Sequence, residues 1–475
     1  MKVNPLELLA NSRLNKHHFR ILGTTIISFL LEMFDFFIMG FVLAFILGPW
    51  QLSYGESSLI LLSAGVGTML GAFACGIWAD RWGRRKVMIG SILMFSIFSG
   101  FMFFTPEGMW EYVTVFRTLV GFGVGGLTAV LIPYVTEIFP SRHRGTLTGL
   151  LQSFTPMGIL LGSMSASYLA PIIGWRGLFL ICVIPVLLII PVMRWLPESP
   201  RWLFMKGRSE EAILVINRLA NEKVDNSQID HSAMKISSSG SKASLRDLLK
   251  YPKSFAISFG INLGTQTAFY GVSLWGPAIL AMVLQLKPQE AAAMYMVVSL
   301  SGFVGRLFFS FAAERWGRRI CGTISGLAGG LLIILVGVFH DRSIGEISVM
   351  WLLLIAAQFM MDAALVITGL YTAEVWPSKI RATGFGSAYG FGGLGKIIGP
   401  IGLALIAGAS NVVSPKATIE AVVPAFTFLG LFLIMVGILF AIAWETKNKN
   451  LDELESMLNQ TEDRFVKKAS EATKG

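Results

Sequence analysis

Gly76-Ile-Trp-Ala-Asp80-Arg81-Trp82-Gly83-Arg84-Arg85-Lys86 returns 234 residues later as Ser310-Phe-Ala-Ala-Glu314-Arg315-Trp316-Gly317-Arg318-Arg319. Each copy is a dense charge cluster between long apolar runs. The separation is about half of the 475-residue chain. Two such clusters at that spacing mark an internal duplication, and the apolar flanks mark a membrane protein.

Only 14% of the residues are charged and 54% are hydrophobic, against roughly 25% charged in a soluble domain. Apolar runs long enough to cross a bilayer as helices recur along the chain. The spacing predicts twelve spans, at 21–47, 57–78, 87–104, 111–134, 145–169, 177–195, 253–283, 290–312, 320–339, 347–370, 383–408 and 421–444. The net charge of +10 is explained by topology rather than by nucleic acid. Of the 39 Lys and Arg, 32 fall in the termini and alternate loops, and the opposite loops hold only Arg176, Lys287, Arg342 and Lys416. This bias places both termini in the cytoplasm. The expected location is the plasma membrane, a bacterial inner membrane. Cys75, Cys182 and Cys321 lie far apart with no CxxC or CxxH spacing, so neither disulfide nor metal site is expected.

Four segments follow: 1–195, an N-terminal six-helix half; 196–252, a cytoplasmic linker; 253–444, a C-terminal six-helix half; and 445–475, a cytoplasmic tail. In the linker, Ser209 is read as a cap for a short helix with Ile213, Ile216 and Leu219 on its apolar stripe. Ser237–Ser241 reads as flexible, Ser244–Asp247 as a capping box, and Leu451, Leu454 and Leu458 as an amphipathic stretch before a disordered end. A second repeat supports the duplication. Tyr134-x-x-Glu137-x-x-Pro140-x-x-x-Arg144 reappears as Tyr371-x-x-Glu374-x-x-Pro377-x-x-x-Arg381 at an offset of 237.

On these motifs the chain resembles the major facilitator superfamily over essentially its full length. Arg117-x-x-x-Gly121-x-Gly123-x-Gly125-Gly126 is similar to the superfamily's fourth-span motif, and Pro197-Glu198-Ser199-Pro200-Arg201 resembles a sugar-porter element. The run Leu14–Arg20 is similar to that of aromatic acid:proton symporters. Their first-span Asp-Gly-Tyr-Asp motif is matched by Glu32-Met33-Phe34-Asp35, which keeps both carboxylates and loses the Gly and Tyr. The resemblance implies an all-α integral membrane fold, with twelve transmembrane helices in two pseudo-symmetric six-helix halves around a central cavity. It implies secondary active transport of a small solute by alternating access, and no enzyme activity.

Glu32 and Asp35 are i, i+3 on one helix face. A charge at the bilayer centre costs about 2.5–3.5 kcal/mol, so both should be paired, protonated or facing water. Arg117 inside the fourth span is the natural partner, and the resemblance implies an Asp35–Arg117 pair. Glu32, Asp35 and Arg117 are the candidate proton-coupling group; the alternative is a fixed ion pair joining two spans. Position 270, the repeat counterpart of Asp35, is a Tyr, and no Arg matches Arg117. The titratable pair is therefore expected in the first half only, with much of substrate recognition in the second.

Asn262, Gln266 and Tyr270 follow i, i+4, i+8 along the seventh span and form a polar face that must point inward. Trp275-x-Pro277 resembles a seventh-span element of aromatic acid symporters. Gln358 and Asp362 on the tenth span, Tyr389 and Lys396 on the eleventh, and Gln152 on the fifth complete the substrate-binding candidates. Lys396 suits a substrate carboxylate; the alternatives are a salt bridge with Asp362 or snorkelling. Arg306 reads as structural. Asp80, Arg84, Glu137, Arg144, Glu314, Arg318, Glu374 and Arg381 are the candidate cytoplasmic gate, with Glu137–Arg144 and Glu374–Arg381 as pairs; the alternative is a purely topogenic role.

The leading expectation is proton-coupled symport of an organic acid, aromatic acids included, with the proton as coupling ion and no cofactor or metal. The chain is expected to work as a monomer in the lipid bilayer on a small-molecule substrate. A sugar, polyol, nicotinate-like or organic-cation porter of the same fold is the alternative. The seventh span lacks the paired Gln of sugar porters. The fifth span offers only Thr155-Pro156-x-Gly158 where antiporters carry Gly-Pro-x-x-Gly-Gly.

Overall fold

A computed structural model describes residues 5–221, 245–377 and 380–447. Expectations for Ser237–Ser241, Ser244, Leu451, Leu454 and Leu458 lie outside these residues. The chain is a succession of long helices: span 1 Lys16–Trp50, span 2 Tyr54–Trp82, span 3 Arg84–Phe101 and span 4 Trp110–Ile138. Span 5 runs through Arg144–Ser153, Thr155–Met164 and a π-helical turn at Ser165–Leu169. Gly174, at φ 71°, turns the chain into span 6, which ends at Trp195. Spans 7 to 10 are Pro252–Val283, Pro288–Trp316, Arg318–Val338 and Val349–Glu374. Span 11 is Arg381–Gly392 with Gly395–Ala407, and span 12 is Pro415–Ala441.

Ten described stretches are long and apolar enough to cross a membrane; one of them, Ser141–Trp195, has 55 residues and holds spans 5 and 6. Span 7 has the length, at 32 residues, and is made less apolar by Asn262 and Gln266. The protein is thus a twelve-span membrane protein. Its only strands among the described residues are Ser343–Ile344 and Ile347–Ser348, a hairpin between spans 9 and 10 turning on Gly345.

The chain divides into two compact units, Met1–Trp50 with Leu59–Ser241, and Gln51–Ser58 with Lys242–Gly475. In the first unit, spans 2 and 4 cross at backbone contact. A Cβ on Gly121 would stand 2.2 Å from the Ala64 carbonyl oxygen, and one on Gly71 1.9 Å from that of Phe122. No side chain fits there, which explains the Gly-rich pattern of span 4 by packing. In the second unit, Tyr54 bonds the Thr418 hydroxyl at 2.8 Å, and its N–H donates to the Asn411 carbonyl at 2.9 Å.

The linker helix spans Ser209–Ala220, with Ile213, Ile216 and Leu219 buried as the pattern requires. Ser209 does not cap it: Arg208 occupies the N-cap and no side chain bonds the helix start there. Glu210 and Glu211 in the first turn favour the helix N-terminus instead. Arg208 donates two bonds of 2.6 Å to Glu211, which raise the already high pKa of its guanidinium.

Candidate functional site

Asp35 lies at the middle of span 1, fully buried, and Arg117 reaches it from span 4. The guanidinium donates to Asp35 Oδ1 at 3.1 Å, to the Asp35 carbonyl at 3.0 Å and to the Phe36 carbonyl at 2.8 Å. Ser99 from span 3 donates to Asp35 Oδ2 at 2.6 Å. Two of the three Arg117 bonds go to the main chain of span 1. The guanidinium is therefore held whatever the state of the carboxylate, and only one bond depends on the Asp35 charge. Charge-assisted bonds of this kind are the stronger ones. Glu32, one turn earlier and also buried, accepts a bond from Thr128 on span 4. The i, i+3 spacing thus aims both carboxylates at span 4, but at different partners.

The second unit holds a buried pair as well, which corrects the expectation that only the first half carries one. Arg306 Nε on span 8 meets Asp362 Oδ1 on span 10 at 2.5 Å, and Gln358 Nε2 donates to Asp362 Oδ2 at 2.6 Å. Adding the repeat offset to Asp35 or Arg117 cannot find this pair, because it joins spans 8 and 10, whereas the counterparts of spans 1 and 4 are spans 7 and 10. Asp362 consequently does not form the salt bridge offered to Lys396. The Lys396 ammonium lies 5.1 Å above the Tyr270 ring, a cation–π contact between spans 11 and 7.

The polar face of span 7 splits on inspection. Asn262 donates to the Thr372 hydroxyl of span 10 at 2.9 Å and to the Ser258 carbonyl at 2.8 Å, so its amide joins two helices. Gln266 reaches the Tyr389 carbonyl at 3.4 Å, and the Tyr389 ring stacks on Phe385. Trp275 is buried, donating to the Pro400 carbonyl at 3.3 Å and packing near Tyr54. Spans 7 and 11 come close because Gly399 faces Gly271: a Cβ on Gly399 would lie 2.6 Å from the Thr267 carbonyl. Gln152 sits half-buried at the end of the first helix of span 5, separate from Asp35 in hydrogen bonding; its carbonyl accepts from the Thr155 hydroxyl.

The two loop motifs build the same object twice. In the first unit, Arg84 bonds Asp80 at 2.9 Å, Glu137 at 3.3 Å and the Ala79 carbonyl at 2.9 Å. In the second, Arg318 bonds Glu314 at 2.7 Å, Glu374 at 3.0 Å and the Ala313 carbonyl at 3.1 Å. The pairing of Glu137 with Arg144 and of Glu374 with Arg381 is therefore corrected. Arg144 donates to the Phe139 carbonyl at 2.9 Å and Arg381 to the Trp376 carbonyl at 3.1 Å, each satisfying the chain end of the preceding helix.

Each motif has a further member that the sequence reading missed. Glu198 accepts from the backbone N–H of Arg84 at 2.8 Å, and Glu445 from that of Arg318 at 3.0 Å. These carboxylates sit on the N-termini of spans 3 and 9, where the helix dipole favours negative charge. The glycine before each helix is required twice over. Gly83 and Gly317 have φ of 103° and 97°, and a Cβ on either would stand 2.3 Å from the glutamate. The signal was present as Pro197-Glu198-Ser199 against Trp444-Glu445-Thr446, but its offset is 247 and not 234, because 127 residues separate Arg318 from Glu445 and only 114 separate Arg84 from Glu198. The sugar-porter-like element thus spends its glutamate on a helix start and says nothing of the solute.

The comparisons with known proteins agree with this architecture. The proton:xylose symporter XylE, of the major facilitator superfamily, superposes with a TM-score of 0.67 at 20% identity, covering 93% of this chain and 99% of that one. The niacin transporter NiaP of Acinetobacter baylyi is 28% identical over 400 residues, 83% of this chain and 88% of its own length. The cis,cis-muconate transport protein of the same organism is 26% identical over 408 residues, covering 84% and 91%. The model of the sugar (and other) transporter family matches residues 22–458, and the chain belongs to that family, within the major facilitator superfamily.

Proposed function

We propose that this transporter is a proton-coupled symporter of a small organic acid, working by alternating access with the proton as coupling ion. The observation that carries the coupling reading is the buried Asp35–Arg117 pair, with Ser99 on the second carboxylate oxygen. A carboxylate's proton affinity depends on whether a guanidinium faces it. A motion that draws span 1 away from span 4 changes that relation, because the carboxylate and both carbonyls that Arg117 bonds belong to span 1. Glu32, on the same face and bonded by Thr128, is the second proton-binding candidate.

The acid is assigned from the second unit and the relatives. Lys396 supplies a cation between spans 11 and 7, with Tyr270 beneath it and Gln266 one turn away. The named solutes of the two Acinetobacter relatives, niacin and cis,cis-muconate, are both carboxylates at neutral pH. A sugar remains the competing solute, favoured by the fold of the xylose symporter. We assign both termini and both charge clusters to the cytoplasmic side of a bacterial inner membrane, on the distribution of Lys and Arg. In this reading Arg84 and Arg318 hold their clusters together in one state of the cycle, and those bonds loosen in the other. The protein acts as a monomer.

The experiment is a thermal-shift screen of the purified protein against aromatic acids, sugars and organic cations, followed by Lys396→Gln. An acid is expected to stabilise the wild type, and the variant to bind that acid at least tenfold more weakly. Stabilisation by sugars alone, or an equal loss for neutral and anionic ligands, would contradict the assignment.

A further inference from the structure

A surface groove on the first unit lies between spans 2, 3 and 4, about 280 Å³ in volume. Its walls are Trp78, Trp82, Val87, Met94 and Phe122, and Cys75 and Ser91 form its floor. Trp78 and Trp82 stack at 5.5 Å between centroids, and Phe122 packs 5.9 Å from Trp78. Trp82 is 56% exposed, so the groove opens outward and not into the interior of the unit. One end carries Lys86, which is exposed. The neighbouring Asp80 is bonded to Arg84.

The residues that line this groove are replaced at the repeat-related place in the second unit. At the offset of 234, Phe309 stands for Cys75, Ala312 for Trp78 and Ile320 for Lys86. Phe309 is buried, 6.1 Å from Phe359, and Phe308 packs at the same distance from Trp316. One tryptophan and the cation of the first unit have no counterpart there. Trp78 and Lys86 are thus particular to the first unit's copy.

An apolar trough that ends in a cation, on the outside of a membrane protein, matches one partner in charge and polarity. We propose that the groove binds an anionic glycerophospholipid, with an acyl chain along Trp78, Met94 and Phe122 and the phosphate at Lys86. Its volume lies just below the range of small-molecule sites, roughly 300–1,000 Å³, which suits a length of chain better than a whole solute. Tryptophans of this exposure are characteristic of the membrane interface. Basic residues between helices at the cytoplasmic face select anionic headgroups. The choice of leaflet rests on the cytoplasmic assignment above; the binding itself does not.

The test is native mass spectrometry of the full chain in detergent with added dioleoylphosphatidylglycerol or dioleoylphosphatidylcholine. Wild type should retain the anionic phosphatidylglycerol about fivefold better than the phosphatidylcholine, the effect of one Lys at about 1 kcal/mol. Lys86→Gln should bring the two lipids level. Gly90→Phe should cut retention of both, because position 90 lies in the groove and its Cβ has nothing within 4 Å to strike. Lys86 is exposed, so its variant decides the matter even if Gly90→Phe does not fold. Equal retention of the two lipids by wild type, or a preference unchanged in Lys86→Gln, overturns the proposal. So does undiminished retention by folded Gly90→Phe. Transport plays no part in the readout, so a wrong substrate or orientation would not mimic either result.

Discussion

The Arg306–Asp362 pair separates a helix brace from a coupling device, and its removal has a calculable cost. The two side chains are 7% and 0% exposed and meet at 2.5 Å. Replacing one member of a buried pair leaves the other charge without its partner and costs about 3–5 kcal/mol. Arg306→Met should therefore lower the thermal midpoint by about 6–20 °C, at about 2–4 °C per kcal/mol for a unit of this size. Adding Asp362→Asn should recover most of the loss. The amide keeps the bond from Gln358 and the width that Gly302 leaves, since a Cβ on Gly302 would stand only 2.2 Å from Asp362 Oδ2. Midpoints are read by intrinsic fluorescence in detergent, and uphill uptake by reconstitution into vesicles with an imposed proton gradient. The double variant should retain uphill uptake. A single variant as stable as wild type would refute the packing argument. A stable double variant without uphill uptake would show that this pair carries coupling.

Other expectations follow from the same geometry. Gly121→Ala should cost about 3 kcal/mol or more, because spans 2 and 4 must part to admit a methyl group; Gly76→Ala, whose Cβ meets nothing within 4 Å, is the matched control in the same melting assay. Glu198→Gln and Glu445→Gln should each cost about 1–2 kcal/mol by loss of charge at a helix N-terminus; unequal costs would deny that the two copies do the same work. Trp275→Phe should weaken solute binding less than Lys396→Gln, since the indole is spent on the Pro400 carbonyl; the reverse order by thermal shift would make Trp275 a substrate contact.

The fold was legible because its signals are periodic and repeated. Apolar runs set the spans, and Gly83 and Gly317 fall where the chain must take a positive φ. The Asp35–Arg117 contact was legible for a physical reason: two opposite charges inside spans have few ways to avoid each other in lipid. The same reasoning applied to Arg306 and Asp362, yet Asp362 was offered to Lys396. Sequence spacing ranks neighbours within a helix and does not say which helices touch. Arg144 and Arg381 were misassigned similarly. A carboxylate seven residues away looked like the partner, while the nearer need was an unsatisfied carbonyl at a helix end. Glu445 escaped because the second half is longer than the first between span 9 and its glutamate, which shifts the repeat offset. Thr372 and Pro400, which occupy Asn262 and Trp275, could not be found from one helix's polar stripe.

Asp35→Asn is the most direct measurement of the central reading. The amide still accepts from Arg117 and fits the space, but it cannot carry a proton. Reconstituted protein should lose proton-driven accumulation of its solute while keeping exchange of labelled for unlabelled solute across vesicles within a few-fold of wild type. Accumulation undiminished by the substitution would contradict a coupling role for the Asp35–Arg117 pair.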